Sequence, residues 1–279
     1  MSIAPAVTRL ARNLSTVRQN IASACRRSGR RPDEVLLVAV TKSVGPDLIR
    51  TLLALGVTDL GENRVQQLVQ RAGLIGRAPG GLDASAPPGG GPPRWHMVGH
   101  LQRNKVKALL EHARIIHSLD SMRLAEEIEH QAARRECLVE ALLEVNVSGE
   151  ASKQGVSPAE LRPLVERVRG SPHIRLRGLM TMAPLEADPQ ATRPHFARLR
   201  ELLEELRTEG LVEADCRHLS MGMSNDYAVA VEEGATIVRI GSALFAGLGD
   251  LPEGCAADLS SRGTGGTGDS YPADRAAPE

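Results

Sequence analysis

Short apolar runs alternate with longer amphipathic stretches along most of the chain. The first stretch, roughly residues 3 to 28, repeats Leu10, Leu14, Val17 and Ile21 at spacings of four, three and four, which is one apolar stripe of a helix. Gly29 and Pro32 end it. Eight apolar runs follow: VLLVAVTK, VTDLGEN, RWHMVGH, RIIHSLD, LVEALLEVNVS, IRLRGLMTM, CRHLSMG and TIVRIGS. Helical patterns fill the intervals at about 46–55, 63–75, 102–111, 121–135, 158–169, 191–209 and 225–233. Strands that alternate with helices form a parallel sheet. Eight such units predict an α/β chain closed as a (β/α)8 TIM barrel, a single domain over residues 1–248 with an extra N-terminal helix. An open doubly wound sheet is the competing architecture. It usually carries GxGxxG after the first strand, and no such motif stands there in this chain.

Two stretches break the rhythm. Residues 76–93, GRAPGGLDASAPPGGGPP, lack periodicity and read as a flexible insertion before the third strand. Residues 249–279 read as a disordered tail.

Composition narrows the function classes. The chain has 279 residues, 42% of them hydrophobic, enough for the core of one large barrel. Lys+Arg and Asp+Glu balance at 34 each, which gives no nucleic-acid surface, and 2% aromatics give no platform for stacking bases or sugars. Cys25, Cys137, Cys216 and Cys255 are far apart, so neither a CxxC metal site nor a redox pair is expected, and reduced thiols are. The N-terminus has no secretory h-region and no stretch is long and apolar enough to cross a membrane. A soluble, cytoplasmic protein is expected, and a monomer, because no exposed apolar repeat asks for a partner.

Reactive residues of such barrels sit at the C-terminal strand ends. Those ends are Lys42, Glu62-Asn63, His100, Asp120, Asn146, Met180, Ser220-Met221-Gly222 and Gly241-Ser242. The seventh and eighth read LSMGMSND and VRIGSALF, rich in Gly and Ser. Small residues let backbone N–H groups approach an anion, and the loops after strands seven and eight are a recurring phosphate site. A helix starting near Asn225 would aim its positive end at the same place. Ser220, Ser224, Gly241 and Ser242 are therefore the phosphate candidates, against the alternative that they only make tight turns. Lys42 has three explanations: a solvated strand end, a point charge for a phosphate, or a Schiff-base amine. A ligand with both an aldehyde and a phosphate joins the lysine to the loops, and pyridoxal 5′-phosphate (PLP) is such a ligand. Arg239 shares a strand face with Gly241. It either donates to the ring nitrogen, keeping it unprotonated, or forms a salt bridge with a neighbouring strand.

The stretches LLVAVTK, GENRVQQ, WHMVGHLQRNKVK, EVNVSGEASKQGV, RGLMTMAP and LSMGMSNDYAVAVEEGATIVRIGSALF resemble the YggS/PROSC family of pyridoxal phosphate homeostasis proteins, themselves similar to the barrel domain of alanine racemases. They run from about residue 35 to 246. The resemblance implies an alanine-racemase N-terminal-domain-like barrel and an internal aldimine of Lys42 with PLP. It places the phosphate at Ser220, Ser224, Gly241 and Ser242, Arg239 at the pyridine nitrogen, and Asn63 of the GEN motif beside the ring substituents. It also places His96 and His100 near the mouth, His96 more safely as a core or supporting residue. Pro46 follows the lysine one place later than is common, and MSND has asparagine where aspartate is common, with Asp226 after it.

A racemase needs two proton-handling groups on opposite faces of the substrate carbon. In alanine racemases a second domain delivers the tyrosine, and here only Tyr227 and Tyr271 exist. The expectation is a PLP carrier in vitamin B6 and amino-acid homeostasis that hands the cofactor to apo PLP-dependent enzymes, with no catalytic residue and no metal. The alternatives are a weak PLP-dependent amino-acid racemase using Lys42 with a water or Tyr227, and a phosphosugar-binding barrel without PLP. Lys153, in SGEASKQG, is a further anion candidate or a solvated loop lysine.

Overall fold

The computed structural model describes residues 3–77, 81–82 and 92–248. Eight strands, β1 (Leu36–Val40), β2 (Asp59–Glu62), β3 (Arg94–Met97), β4 (Ile115–Leu119), β5 (Val139–Glu144), β6 (Ile174–Met180), β7 (His218–Ser220) and β8 (Ile237–Ile240), pair in sequence order. The last closes on the first, all parallel, with Val38 opposite Arg239 and Ala39 opposite Ile240. Helix α1 (Ile3–Arg27) precedes the barrel. A helix follows each strand: α2 (Pro46–Ala54), α3 (Val65–Ile75), α4 (Val106–Leu109), α5 (Met122–Ala133), α6 (Pro158–Arg169), α7 (Arg193–Thr208), α8 (Tyr227–Glu232) and α9 (Ser242–Phe245). This is the predicted (β/α)8 barrel with its additional N-terminal helix.

Period two sorts the side chains into two cores. Leu37 and Ala39 of β1 face outward and pack into the large apolar layer between strands and helices. Leu36, Val38 and Val40 face inward, with Val98, Ile115, Leu142, Met180 and Ile237. The stripe Leu10, Leu14, Val17 and Ile21 is buried, which fastens α1 to the outside of the barrel. Each such side chain contributes about 1.5–3 kcal/mol on leaving water. Local signals set the helix ends. Gly29 adopts φ +67° just past α1, which costs glycine no steric strain. Ser157 and Glu160 form a reciprocal capping box at α6, with Pro158 at its first turn.

The strands are shorter than the apolar runs. β1 ends at Val40, two residues before Lys42. The predicted 102–111 helix divides into a 3-10 turn, Arg103–Lys105, and the short α4. The one-turn α9 has too few residues to show an apolar period and was not expected. Of the 76–93 stretch, residues 78–80 and 83–91 lie outside the described residues, as do the 249–279 tail, Cys255 and Tyr271. The described remainder is held at the N-terminal end of the barrel. Leu82 joins the inner core, and the Trp95 indole donates to the Gly76 carbonyl at 2.9 Å. Cys25, Cys137 and Cys216 are buried free thiols. Among the described residues no helix is long and apolar enough to cross a membrane.

Candidate functional site

A cavity of about 460 Å³ opens at the C-terminal end of the barrel, a size suited to a small ligand. Lys42, Asn63, Ser224, Arg239, Gly241 and Ser242 all line it. Asp226 and Asn225 border it near Ser224, and Met182, Pro184 and Leu185 from the loop after β6 make an apolar side.

Lys42 reaches the cavity because its number shares the parity of Leu36, Val38 and Val40, the inward face of β1. It sits in a turn past the strand end and its side chain is exposed. A buried clamp holds that turn. Thr41 Oγ1 donates to Glu62 Oε1 at the end of β2, and Arg71 of α3 donates both to Glu62 and, at 2.7 Å, to the Val44 carbonyl. Burial pushes the Glu62 carboxyl up, against the opposing pull of Thr41, Arg71 and Lys42. Glu62 Oε2 has no hydrogen-bond partner among the described residues.

Arg239 is buried at the floor. Its Nη1 donates to Ser220 Oγ at 2.7 Å and its Nη2 to the Thr181 carbonyl at 2.9 Å. Among the described residues it forms no salt bridge with a neighbouring strand, and Glu144 and Asp226 compensate its charge through space. Burial lowers the guanidinium to about 10, and those two carboxylates pull it back up. Glu144, at the end of β5, is pushed up to about 7 by burial and by Asp120, with Arg239 opposing.

The loops after β7 and β8 are tied to each other. The Ala243 N–H donates to Ser224 Oγ at 3.1 Å, and Asp226 Oδ1 accepts from the Met223 N–H at 2.6 Å. Gly222 has φ +90°, and a Cβ there would lie 2.5 Å from Ala230 Cβ, so only glycine lets this loop pass α8. Asn13 of α1 donates to the carbonyls of Leu244 and Ala246 at 2.8 and 3.0 Å, bracing α9 from outside.

Ser220 is the exception among the phosphate candidates. It is completely buried beneath Arg239, does not line the cavity, and its hydroxyl is engaged by Arg239 and His117. Ser220 is the last residue of β7 and lies one step too deep to reach a ligand. His96 is likewise interior, between Asp59 and His117. His100 pairs with Asp120 at 3.3 Å outside the cavity lining, and Lys153 does not line it either. Tyr227 turns away, its hydroxyl accepting from Asn20 of α1 at 2.9 Å. The sequence reading passed over His117 and the Glu62–Arg71 clamp. Parity with Ile115 places His117 inside the barrel, whereas nothing local announces a pair formed across two elements.

The residues fit PLP. Asn63 lines the cavity with a buried side-chain oxygen that has no partner among the described residues. Gly241 leaves a gap in which a Cβ would stand 3.2 Å from the Val40 carbonyl. An amine, a guanidinium and a hydroxyl-and-amide loop pair surround the same space.

The alanine racemase N-terminal domain family matches residues 12–248. A pyridoxal phosphate homeostasis protein of Aquifex aeolicus is 43% identical over 232 residues, covering 83% of this chain and 95% of that protein. One of Pseudomonas aeruginosa is 38% identical over 236 residues, covering 85% and 94%. The structure of PipY of Synechococcus elongatus with PLP bound is similar at TM-score 0.70 and 32% identity, covering 85% of this chain and 99% of that one. With the barrel, the lysine turn and the paired Gly/Ser loops in place, the chain belongs to the alanine racemase N-terminal domain family, among the pyridoxal phosphate homeostasis proteins.

Proposed function

We propose that this protein binds PLP in the cavity at the C-terminal end of the barrel and serves intracellular PLP and amino-acid homeostasis. One observation carries the reading: a single cavity gathers Lys42, Asn63, Arg239, Ser224, Gly241 and Ser242. PLP supplies an aldehyde for an amine, a phosphate dianion and a pyridine nitrogen. Lys42 is the covalent anchor, and the clamp of Thr41, Glu62 and Arg71 aims its turn. Ser224, Gly241 and Ser242 cradle the phosphate, Asn63 meets the ring substituents, and Arg239 donates toward the ring nitrogen. Ser220 is withdrawn from the cradle because it lies behind Arg239.

The reading is a carrier without robust catalysis, a cytoplasmic monomer that passes PLP to apo-enzymes. Exposure of Lys42 supports it, since a recipient must reach the anchor. The orientation of Tyr227 speaks against its use as a second acid/base, which leaves the weak racemase a water opposite Lys42. The test is the visible spectrum with added PLP, wild type beside Lys42→Ala. The expected result is a lysine-bound band in the wild type that the variant lacks. No band in either protein would overturn the reading in favour of a phosphosugar-binding barrel. Sustained turnover of L- to D-alanine by pure protein would overturn the carrier assignment.

A further inference from the structure

A line of hydrogen bonds crosses the barrel interior from its N-terminal end to Arg239. Arg94 donates to Asp59 twice, Nε to Oδ1 and Nη2 to Oδ2, each at 2.8 Å. His96 Nε2 lies 3.0 Å from Asp59 Oδ1, and His96 Nδ1 lies 3.0 Å from His117 Nε2. His117 Nδ1 is 2.9 Å from Ser220 Oγ, which Arg239 Nη1 meets at 2.7 Å. His96, His117 and Ser220 are each 0% exposed.

The hydrogens of this line can be assigned from the inventory of each group. Arg239 only donates, so Ser220 accepts from it. The hydrogen of Ser220 then has one acceptor among the described residues, His117 Nδ1. Burial keeps His117 neutral, so with Ser220 donating to its Nδ1 the single hydrogen is on Nε2 and points at His96 Nδ1. His96 in turn donates from Nε2 to Asp59. Burial alone would raise that carboxyl, but the bonds from His96 and Arg94 outweigh it and keep Asp59 ionised. The reverse arrangement strands the Ser220 hydrogen, which has no other acceptor among the described residues. All donors therefore run one way, from Arg239 to Asp59.

We propose that Ser220 and His117, backed by His96 and Asp59, are positioning residues that hold Arg239 in one orientation at the floor of the cofactor cavity. The proposal rests on the PLP reading of that cavity. Ser220 fills one side of the guanidinium and the Thr181 carbonyl another, which leaves the remaining N–H groups for the ring. A buried arginine that loses one of two acceptors turns to find another, and loss of one such bond weakens the aligned contact by about fivefold. Because each histidine accepts on one nitrogen and donates from the other, a break at His96 also reaches Arg239.

The experiment is ¹⁵N-histidine NMR of the protein before PLP is added, followed by PLP titration read by absorbance, for wild type, Ser220→Ala and His96→Phe. The expected result is Nε2–H alone on both His96 and His117 in the wild type. Ser220→Ala should give mixed His117 tautomers, roughly fivefold weaker PLP binding and a shifted visible band. His96→Phe should move the affinity and the band the same way by less. Protonation of His117 on Nδ1 in the wild type would overturn the proposal, as would wild-type affinity and band in both variants. If the wild type takes up no PLP, the cavity reading falls and the tautomers alone decide the line: Nε2–H on both supports it, Nδ1–H on His117 overturns it.

Discussion

The two ends of the barrel treat charge in opposite ways. At the N-terminal end the buried charges satisfy one another: Arg94 with Asp59, and Arg177 with Glu140 and Asp215. At the C-terminal end, among the described residues, Arg239 donates to a hydroxyl and a carbonyl and to no carboxylate, and Glu62 and Asn63 each keep a buried oxygen without a partner. Desolvating a charge costs several kcal/mol unless a partner compensates. At one end each of these charges touches an opposite charge; at the other Arg239 has its carboxylates only at a distance, and Glu62 bonds Arg71 and Thr41 through one oxygen alone. The same strands thus supply stability at their starts and chemistry at their ends.

Exchanging the two ends in experiment should expose the contrast. The largest effect belongs to Lys42→Ala. Visible PLP binding should be lost entirely while urea unfolding moves by no more than about 0.5 kcal/mol, because the side chain is exposed. Arg177→Met should do the converse. The residue is fully buried, and removing it leaves Glu140 and Asp215 without its charge, so stability should fall by about 3 kcal/mol. PLP affinity of the folded fraction should stay within about twofold, since Arg177 does not line the cavity. A large loss of affinity there would break the division between the ends.

Glu144 carries the contrast into pH. Its carboxyl titrates at about 7 in the fold against 4.5 ordinarily, so the folded state holds the proton more tightly than the unfolded chain. The fold therefore loses stability as pH rises from 4.5 to 7, and the loss is then complete. Glu144→Gln should remove it, gaining up to about 3 kcal/mol at pH 8 and nothing below pH 4.5 in paired denaturation curves. A gain that is flat with pH would assign the effect to packing instead. The smallest effect is expected from Tyr227→Phe. It removes one hydrogen bond to Asn20 and should cost about 1 kcal/mol while leaving the PLP spectrum unchanged. Loss of the band in this variant would return Tyr227 to the cavity.

Much of this contrast is legible in the sequence alone. Parity along VLLVAVTK carries Lys42 to the inner rim, and TIVRIGS places Arg239 and Gly241 on one inner face. The Gly/Ser content of the seventh and eighth strand ends pointed to the loops that border the cavity, and Ser224, Gly241 and Ser242 do line it. Ser220 did not follow, because residue type and face are the same for a serine at the rim and one a step below it. Depth depends on where the strand stops, and the apolar runs overshoot the hydrogen-bonded strands. Tyr227 shows the same limit, since its hydroxyl meets a residue 207 positions away. Links such as His117 to Ser220, 103 positions apart, exist only once the barrel has closed.

The most direct test of the central claim is borohydride reduction of the PLP-loaded protein followed by peptide mass mapping. The whole chain holds Lys42, Lys105, Lys107 and Lys153 as its lysines, so the readout is simple. The account predicts a pyridoxyl group on the peptide carrying Lys42 and on no other. The same group on Lys105, Lys107 or Lys153, with Lys42 unmodified, would contradict it.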